Sequence, residues 1–498
     1  MTRATSSSGS SWSEVVLLSL AALVLALLYL TYLARMPDWD WNAARALPSV
    51  AMIKGFSLYY PADSGPVMST LYGPVKAILF LPAALASTPT TVLAIAGGIN
   101  QLTLLIPLWL LTVGTRPTRR GLLGFVLTVA AFSLLPPIRQ AATSIHVDAP
   151  AIGLALLACW ALVGSASRPR TEPPSTAHLA TAAIATVLAA WTKQVEAPLA
   201  FALLLYGWKV WGREVAIRLF LWLAASAIVI SLLFVVLFDA SAMWFNIIVV
   251  PAEHPFLGGG GLGSVGYFAI SVIELLILAS PFLLAVLIAM QTRSGDGPSW
   301  PPWSLFLIAG IFLIPTSVLG RLIIGGNPNS YHALAFFLVA ATWVVTHGDL
   351  LPTRPNLGRK LLIGGAAIAT LATLPQLQGA PDDLSTWRDN PQEQAYLYAK
   401  AHPDRAYFPW NPLSTLLAQG ELYHLDYNVH DRKLAGFPLS DEHLREHMPP
   451  AASYLIVHDD NPGLHVHKWL PEFSEKTTLD DLPGWKVFAD PSRLESTD

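Results

Sequence analysis

The amino-acid sequence predicts a polytopic α-helical membrane protein with about eleven transmembrane helices and a small soluble α/β domain at its C-terminal end. Of its 498 residues, 53% are hydrophobic and 13% are charged, whereas a soluble domain carries about 25% charged residues. Residues 1–376 contain 20 basic and 13 acidic side chains, but residues 377–498 contain 10 and 20. A basic, apolar body joined to an acidic, polar tail excludes a soluble enzyme, a fibrous protein and a disordered chain.

The apolar residues form runs that are long enough to cross a bilayer, whose core of about 30 Å needs roughly 20 helical residues. The first run, 15–33, lacks a signal-peptide cleavage site, so we expect it to remain as an anchor. The stretch 69–87 is interrupted by Pro74, Lys76 and Pro82, and we predict a helix there that lies at the surface or is half-inserted. The other ten predicted spans are 91–113, 121–138, 144–165, 177–192, 195–211, 216–238, 265–290, 303–324, 330–347 and 361–376.

The orientation follows from the basic residues of the short loops, which are enriched on the cytoplasmic side. With the N-terminus in the cytoplasm, the inner segments carry 13 Lys and Arg and the outer segments carry 7. An odd number of spans then places the tail outside the cytoplasm. The predicted domains are a transmembrane domain over 1–376, with a first outer loop at 35–90, and an extracytoplasmic domain over 381–498.

The tail has the pattern of a small α/β domain. Helical spacing covers 392–401, Ser440 is a preferred N-cap for a short helix over 441–447, and 454–457 and 486–489 are predicted strands. His465 and His467 could bind a metal ion, but two ligands are weak evidence, and a solvated surface is the favoured alternative.

Acidic residues mark two places on the predicted outer face. Asp38 and Asp40 follow the first span and could hold a divalent cation or supply a general base; the alternative is an interfacial loop rich in Trp. His146 and Asp148 open the fourth span, where ionisable groups are functional candidates. The alternative for Asp148 is a favourable interaction with the helix dipole.

Two cations on the outer face run against the charge bias. Lys193 follows the fifth span and Arg321 ends the ninth, and an anionic phosphate is a natural partner for each. The alternatives for Lys193 are a pair with Glu196 or snorkelling towards lipid headgroups.

Other outer residues carry weaker signals. Tyr72 could stack on a sugar ring or lie at the lipid boundary. The loop that contains Asn329 and His332 could bind a ligand or simply turn. Glu253 and His254 precede the glycine run 258–261 and suggest a mobile segment near the site, and Glu274 is expected to face the protein interior. No basic face with interleaved aromatic residues indicates nucleic-acid binding, and a single cysteine, Cys159, allows no intrachain disulfide.

In its order of motifs, the chain resembles the membrane-embedded GT-C glycosyltransferases, a group that includes protein O-mannosyltransferases and aminoarabinose lipid A transferases. The resemblance covers roughly residues 10–376, and the tail matches only in kind. It implies a GT-C fold and an inverting transfer of a sugar from a polyprenyl-phosphate donor to a hydroxyl of a glycan, lipid or protein acceptor, in a bacterial inner membrane. The motifs that carry it are Asp38-Trp-Asp40, Tyr72-Gly-Pro, His146-Val-Asp148-Ala-Pro, Lys193-Gln194 and Asn329-Ser-Tyr-His332.

The resemblance also implies roles for these residues. Asp38 or Asp40 would be the base or the acid of the acceptor site, with a divalent cation on the same pair left open and no other cofactor expected. Lys193, Gln194 and Arg321 would hold the lipid phosphate and stabilise its developing charge. The residues expected to orient sugar or acceptor are Tyr72, His146, Asp148, Glu253, His254, Asn329 and His332.

Two other functions are consistent with a polytopic chain. A transporter or flippase for a lipid or glycan intermediate would have ionisable groups near the midplane and internal repeats, but no repeat is evident and the candidate groups cluster at one face. A non-enzymatic scaffold would act through a partner bound to its outer tail.

Overall fold

The computed structural model describes residues 12–35, 42–68, 70–292, 300–347, 355–459 and 469–494. Within these residues, six helices are long and apolar enough to cross a membrane, and a bent pair makes a seventh if it is one span. The six are Glu14–Ala34, Pro89–Thr112, Arg213–Leu237, Gly261–Gln291, Trp303–Leu322 and Lys360–Leu377.

The bent pair, Arg119–Leu134 and Pro136–Thr143, turns by 100°. The third predicted span, 121–138, is therefore not one straight helix. Two consecutive prolines, Pro136 and Pro137, lack the N–H groups that a continuous helix needs. The second helix of the pair begins at the first of these prolines.

Judged by helix length and apolar composition, the described residues contain fewer spans than the eleven predicted, because several predicted spans are helices of 17 residues or fewer. The fourth predicted span starts only at Asp148, after four residues of bend, and the segment 239–264 between two predicted spans is largely helical. The shorter helices of the body are Asp148–Val163, Thr176–Thr192, Leu199–Trp211, Ala240–Trp244, Val250–Glu253 and His332–His347, with a π-helix at Phe245–Val249 and 3-10 turns at Gln194–Glu196 and Pro328–Ser330.

The first outer loop folds into short helical pieces rather than one span. They are Asn42–Ile53, Val75–Leu79 and a 3-10 turn Ala83–Leu85. The helix predicted over 69–87 does not form as one element, since the longest helix there has five residues and its first three residues are buried. This loop packs against the C-terminal part of the chain in a shared apolar cluster that includes Leu47, Phe80, Leu93, Leu413 and Leu416.

The C-terminal part contains a four-stranded sheet flanked by helices. Its strands are β3 (Ala406–Tyr407), β4 (Tyr454–His458), β5 (Glu475–Thr477) and β6 (Trp485–Ala489), in the order β3-β4-β6-β5. Only β3 and β4 pair in parallel. A short hairpin of β1 (Gly164–Ser165) and β2 (Arg168–Pro169) lies in the body. The helices of this part are Ala380–Thr386, Pro391–Ala401, Pro412–Gln419, Asp426–Leu434, Asp441–Glu446 and Pro491–Leu494.

Local predictions in the tail are confirmed. The Ser440 side chain accepts a hydrogen bond from the His443 backbone N–H at 3.1 Å and caps the helix Asp441–Glu446. The predicted strands lie within β4 and β6. His465 and His467 lie outside the described residues.

Candidate functional site

A buried polar cluster has the carboxylate of Asp148 at its centre. One oxygen, Oδ1, accepts from Lys193 Nζ at 2.5 Å and from His332 Nε2 at 2.7 Å. The other, Oδ2, accepts from Asn329 Nδ2 at 2.6 Å. Asp148, Lys193 and His332 are all buried, so the charge of Asp148 is compensated by direct contacts instead of by water.

The helix termini explain why these residues meet. Asp148 begins the helix Asp148–Val163, Lys193 follows the end of Thr176–Thr192, and His332 begins His332–His347. The first two of these helices pack closely together, so their ends lie at the same level. Residues from three segments far apart in sequence therefore form one buried cluster.

His332 also contacts a second buried carboxylate. Its Nδ1 lies within hydrogen-bond distance of Glu196 Oε1, and Glu196 is fully buried in the 3-10 turn Gln194–Glu196. Lys193 is thus matched by Asp148, and Glu196 is matched by His332. The alternative pairing of Lys193 with Glu196, considered from the sequence, is not the contact that the structure forms.

The side chains of Asp148, His146 and Tyr72, here called the wall, connect the cluster to a cation in the first outer loop. His146 Nδ1 lies 2.5 Å from Asp148 Oδ2, without the alignment of a hydrogen bond. The Tyr72 ring meets the His146 ring edge-on, with centroids 5.8 Å apart, and the guanidinium of Arg45 lies 5.2 Å from the Tyr72 ring centre. Burial lowers the pKa of His146 to about 4, so its ring is neutral at pH 7.

Lys76 is a second buried cation beside this wall. It lies in the short helix Val75–Leu79 and is only 4% exposed. Burial and the nearby Arg45 cation hold the pKa of Lys76 well below its usual range. Within the described part of the chain, no carboxylate forms an ion pair with it. A buried ammonium without a counter-ion is costly unless an anion binds beside it.

Two predicted phosphate ligands have other contacts. Gln194 donates through Nε2 to the carbonyl oxygen of Ile247 at 3.0 Å. Arg321 Nη1 donates to the carbonyl of Gly326 at 3.0 Å, and its Nε lies 3.9 Å from Glu274 Oε2. Glu274, predicted to face the interior, is half-exposed and accepts from the Tyr331 hydroxyl at 2.8 Å. Arg321 therefore belongs to a neighbouring cluster, separate from Asp148.

The helix Asp426–Leu434 brings the C-terminal part to the site. His254 is buried and contacts the backbone carbonyl of Asp431 through Nε2 at 3.2 Å. Burial raises the pKa of Asp431 to about 7, although Arg45 opposes the rise. Arg432 donates to the carbonyls of Pro61 and Ala62 at 3.3 and 3.2 Å. The tail thus contacts the first outer loop beside Arg45.

The remaining predicted residues lie apart or outside the described residues. Glu253 is exposed. The residues of the glycine run 258–261 all have φ between +59° and +88°, a backbone conformation that favours glycine. Asp38 and Asp40 lie outside the described residues, but Asn42, which follows them, accepts from the Ile145 backbone N–H at 2.6 Å.

A metal centre is not formed by the residues that the structure describes, which include no group of three or more His, Cys, Asp or Glu able to hold an ion. The two candidate pairs for a cation, Asp38 with Asp40 and His465 with His467, both lie outside the ranges described. The divalent cation therefore stays a prediction.

Arg45, Lys76 and Glu196 contribute to this region although sequence reasoning assigned them no role. Arg45 and Lys76 are cations of the predicted outer face that oppose the charge bias, so the sequence carries the same signal for them as for Lys193. Glu196 was considered only as a pairing partner of Lys193. Asp431 and Arg432 carried no signal, because nothing in the tail sequence indicates what it packs against.

The helices and the polar cluster define the class of the protein, which is an integral membrane protein with a buried ionic site where several helices end. Models of protein families give no match to the chain, and no curated protein matches it either.

Comparison with solved structures identifies the fold of the chain. ArnT from Cupriavidus metallidurans bound to undecaprenyl phosphate is similar to this chain with a TM-score of 0.58 and 12% identity, over 97% of this chain and 99% of ArnT. The apo state of ArnT from the same organism is similar with a TM-score of 0.57 and 14% identity, over 96% of this chain and 98% of ArnT. A weaker similarity, with a TM-score of 0.42 and 14% identity over 90% of this chain and 70% of the other, is to the archaeal oligosaccharyltransferase AglB from Archaeoglobus fulgidus. That structure is a complex with an inhibitory peptide and a dolichol-phosphate. The chain therefore has the fold of ArnT along nearly its whole length.

Proposed function

We propose that the protein is a glycosyltransferase that moves a sugar from a polyprenyl-phosphate donor to an acceptor hydroxyl at the extracytoplasmic face of a bacterial inner membrane. The observation that carries the proposal is the buried cation pair Arg45 and Lys76 beside the Tyr72–His146–Asp148 wall. Lys76 needs an anion, and the phosphate of a lipid-linked donor supplies one at the membrane boundary. The GT-C fold, shared with an ArnT that binds undecaprenyl phosphate, supports this choice of donor.

In the proposed reaction, Asp38 or Asp40 removes the proton from the acceptor hydroxyl. The acceptor oxygen forms a bond to the anomeric carbon as the bond from that carbon to the phosphate oxygen breaks, and the configuration inverts. The electron pair of the broken bond remains on the phosphate, where Arg45 and Lys76 stabilise the added charge. Asn42, the first residue of the helix Asn42–Ile53, accepts a hydrogen bond from the backbone N–H of Ile145, next to His146.

Lys193 and Arg321 remain proposed phosphate ligands, but each already faces a carboxylate, on Asp148 and Glu274 respectively. We therefore assign the first contact with the phosphate to Lys76, which forms no ion pair with a carboxylate of the described residues and has Arg45 nearby. Tyr72, His146 and Asn329 line the way from that contact to Asp148 and are proposed to orient the sugar.

The test is a transfer assay on the purified protein in lipid nanodiscs with a panel of polyprenyl-phosphate sugars, read by mass spectrometry of donor and product. Lys76→Met is expected to raise the KM for the donor by roughly 100-fold, as expected when a charge-assisted contact worth about 3 kcal/mol is lost. The matched control is Lys54→Met, an exposed lysine of the same outer loop. Unchanged donor kinetics in Lys76→Met would contradict the phosphate assignment. Lipid movement across vesicles without sugar transfer would favour the flippase.

A further inference from the structure

The His332 ring lies between two buried carboxylates. Its Nε2 is 2.7 Å from Asp148 Oδ1, and its Nδ1 is within hydrogen-bond distance of Glu196 Oε1. The three side chains are completely buried. An ionised carboxylate only accepts hydrogen bonds, and a neutral imidazole donates through one nitrogen alone. While Asp148 and Glu196 are both ionised, the two contacts are hydrogen bonds only if both ring nitrogens carry protons, which makes His332 a cation.

Charge balance leads to the same state. The charged groups that face His332 are Asp148, Glu196 and Lys193, the last with its Nζ 3.4 Å from His332 Nε2. With a cationic His332, the buried group holds two positive and two negative charges. With a neutral ring and both carboxylates ionised, it would hold an unbalanced negative charge away from water, which is costly. His146 lies beside Asp148 but is uncharged at neutral pH, because burial lowers its pKa to about 4.

The pair of Glu196 and His332 cannot contact a donor, because neither side chain reaches solvent. It can act only through Asp148, whose Oδ1 it shares with Lys193. The opposite oxygen of Asp148 contacts Asn329 and lies beside His146, which supports Tyr72 under Arg45. The contacts therefore run without a break from Glu196 to the cation that the proposed donor phosphate meets.

We propose that Glu196 and His332 are positioning residues, a buried carboxylate–imidazolium pair that fixes Asp148 as a carboxylate and thereby holds His146 and Tyr72 in place beside Arg45. The effect on transfer rests on the proposed function; the pair itself does not. If Glu196 becomes neutral, His332 has a weaker reason to stay protonated, and Asp148 loses one of its two cationic partners. Tyr72 and His146 then move, although the substituted residue does not touch the donor.

The test compares Glu196→Gln, His332→Gln and the double variant Glu196→Gln/His332→Gln in nanodiscs, with Glu475→Gln and His402→Gln as controls on partly or fully exposed residues of the tail. Each single variant is expected to lower kcat by about tenfold or more with little change in donor KM, and to shift the pH profile of kcat. Because each single change leaves one buried charge unmatched, the double variant, which restores the balance, is expected to be more active than the product of the two single effects by roughly tenfold. Independent effects that simply multiply would overturn the pair.

A second measurement does not depend on transfer. In protein labelled with ¹⁵N-histidine, one ring is expected to remain an imidazolium at pH 8, and this signal should vanish in the double variant, which keeps the charge balance and is the variant best able to fold. A wild-type protein in which every ring is neutral at pH 8 would overturn the proposal whether or not any donor is used. If no donor is consumed but the imidazolium is found in the wild-type protein and is absent from the double variant, the proposed function fails and the pair stands.

Discussion

Gly73 packs directly against the backbone of Trp191: a Cβ on Gly73 would stand 1.8 Å from the carbonyl oxygen of Trp191. Trp191 lies at the end of the helix that precedes Lys193, and Gly73 follows Tyr72. This backbone contact joins the first outer loop to the segment that leads into the buried cluster. It explains why a glycine separates Tyr72 from Pro74.

A methyl group at Gly73 is therefore expected to move the Tyr72 turn away from the cluster. Gly73→Ala should cost roughly 1–3 kcal/mol of stability, as other insertions into tightly packed sites do, and should reduce donor turnover. Thermal unfolding in nanodiscs and the transfer assay measure the two effects. The control is Gly98→Ala, a helical glycine with open space at its Cβ position. A Gly73→Ala protein as stable and active as Gly98→Ala would contradict the packing argument.

The affinity for the donor phosphate is expected to fall as the pH rises. The free protein holds the pKa of Lys76 below its usual range, and a bound phosphate anion stabilises the charged amine, so binding takes up a proton above that lowered pKa. The affinity should then fall by up to about tenfold per pH unit. Binding of undecaprenyl phosphate between pH 7 and 10 checks this. In Lys76→Arg the guanidinium stays charged, and the slope should flatten; an equal slope in both proteins would refute the role of Lys76.

The contact between the tail and the body is expected to be stronger at mildly acidic pH. Burial raises the pKa of Asp431 to about 7, above the value of the unfolded chain, so the folded state binds a proton that the unfolded state does not. Stability should fall as the pH rises from about 4 through 7. Thermal unfolding at pH 6 and pH 8 measures the difference. Asp431→Asn should remove most of it, and Asp480→Asn, on an exposed residue, should not; a pH difference that survives in Asp431→Asn would contradict the assignment.

Arg432 is expected to hold the first outer loop in place. It donates to the carbonyls of Pro61 and Ala62 and to Asn246 Oδ1 at 3.3 Å. Arg432→Met leaves these acceptors without their partner, which should cost roughly 1–3 kcal/mol and speed amide hydrogen exchange of residues 60–67. The control is Arg445→Met, which removes an exposed pair with Glu472 worth at most about 1 kcal/mol. Unchanged exchange in the Arg432 variant would show that the loop is held by other contacts.

Much of the architecture could be predicted because hydrophobic runs and capping residues act locally. The helix predicted over 265–290 is observed as Gly261–Thr292, and Ser440 caps its helix as its side-chain chemistry dictates. The bend after Leu134 is also local, since Pro136 and Pro137 break the helix, but the length of an apolar run alone did not indicate it.

The predicted topology placed His146, Asp148 and Lys193 on one face, and the structure brings His146 and Lys193 each into contact with Asp148. The pairing within the site could not be predicted. Whether Lys193 contacts Asp148 or Glu196 depends on side-chain directions at the ends of three helices, and sequence spacing does not determine those directions. The contacts of Asp431 and Arg432 depend on how the tail docks.

The way Arg432 binds the first outer loop has a consequence for comparative genomics. Its partners at Pro61 and Ala62 are main-chain carbonyls, which every amino acid supplies. Residues 61 and 62 can therefore change through evolution without weakening the contact, and co-variation between these two positions and 432 should be absent even where the docking is retained. Among homologous sequences, the contact with these two carbonyls is expected to require conservation at position 432 and not at positions 61 and 62.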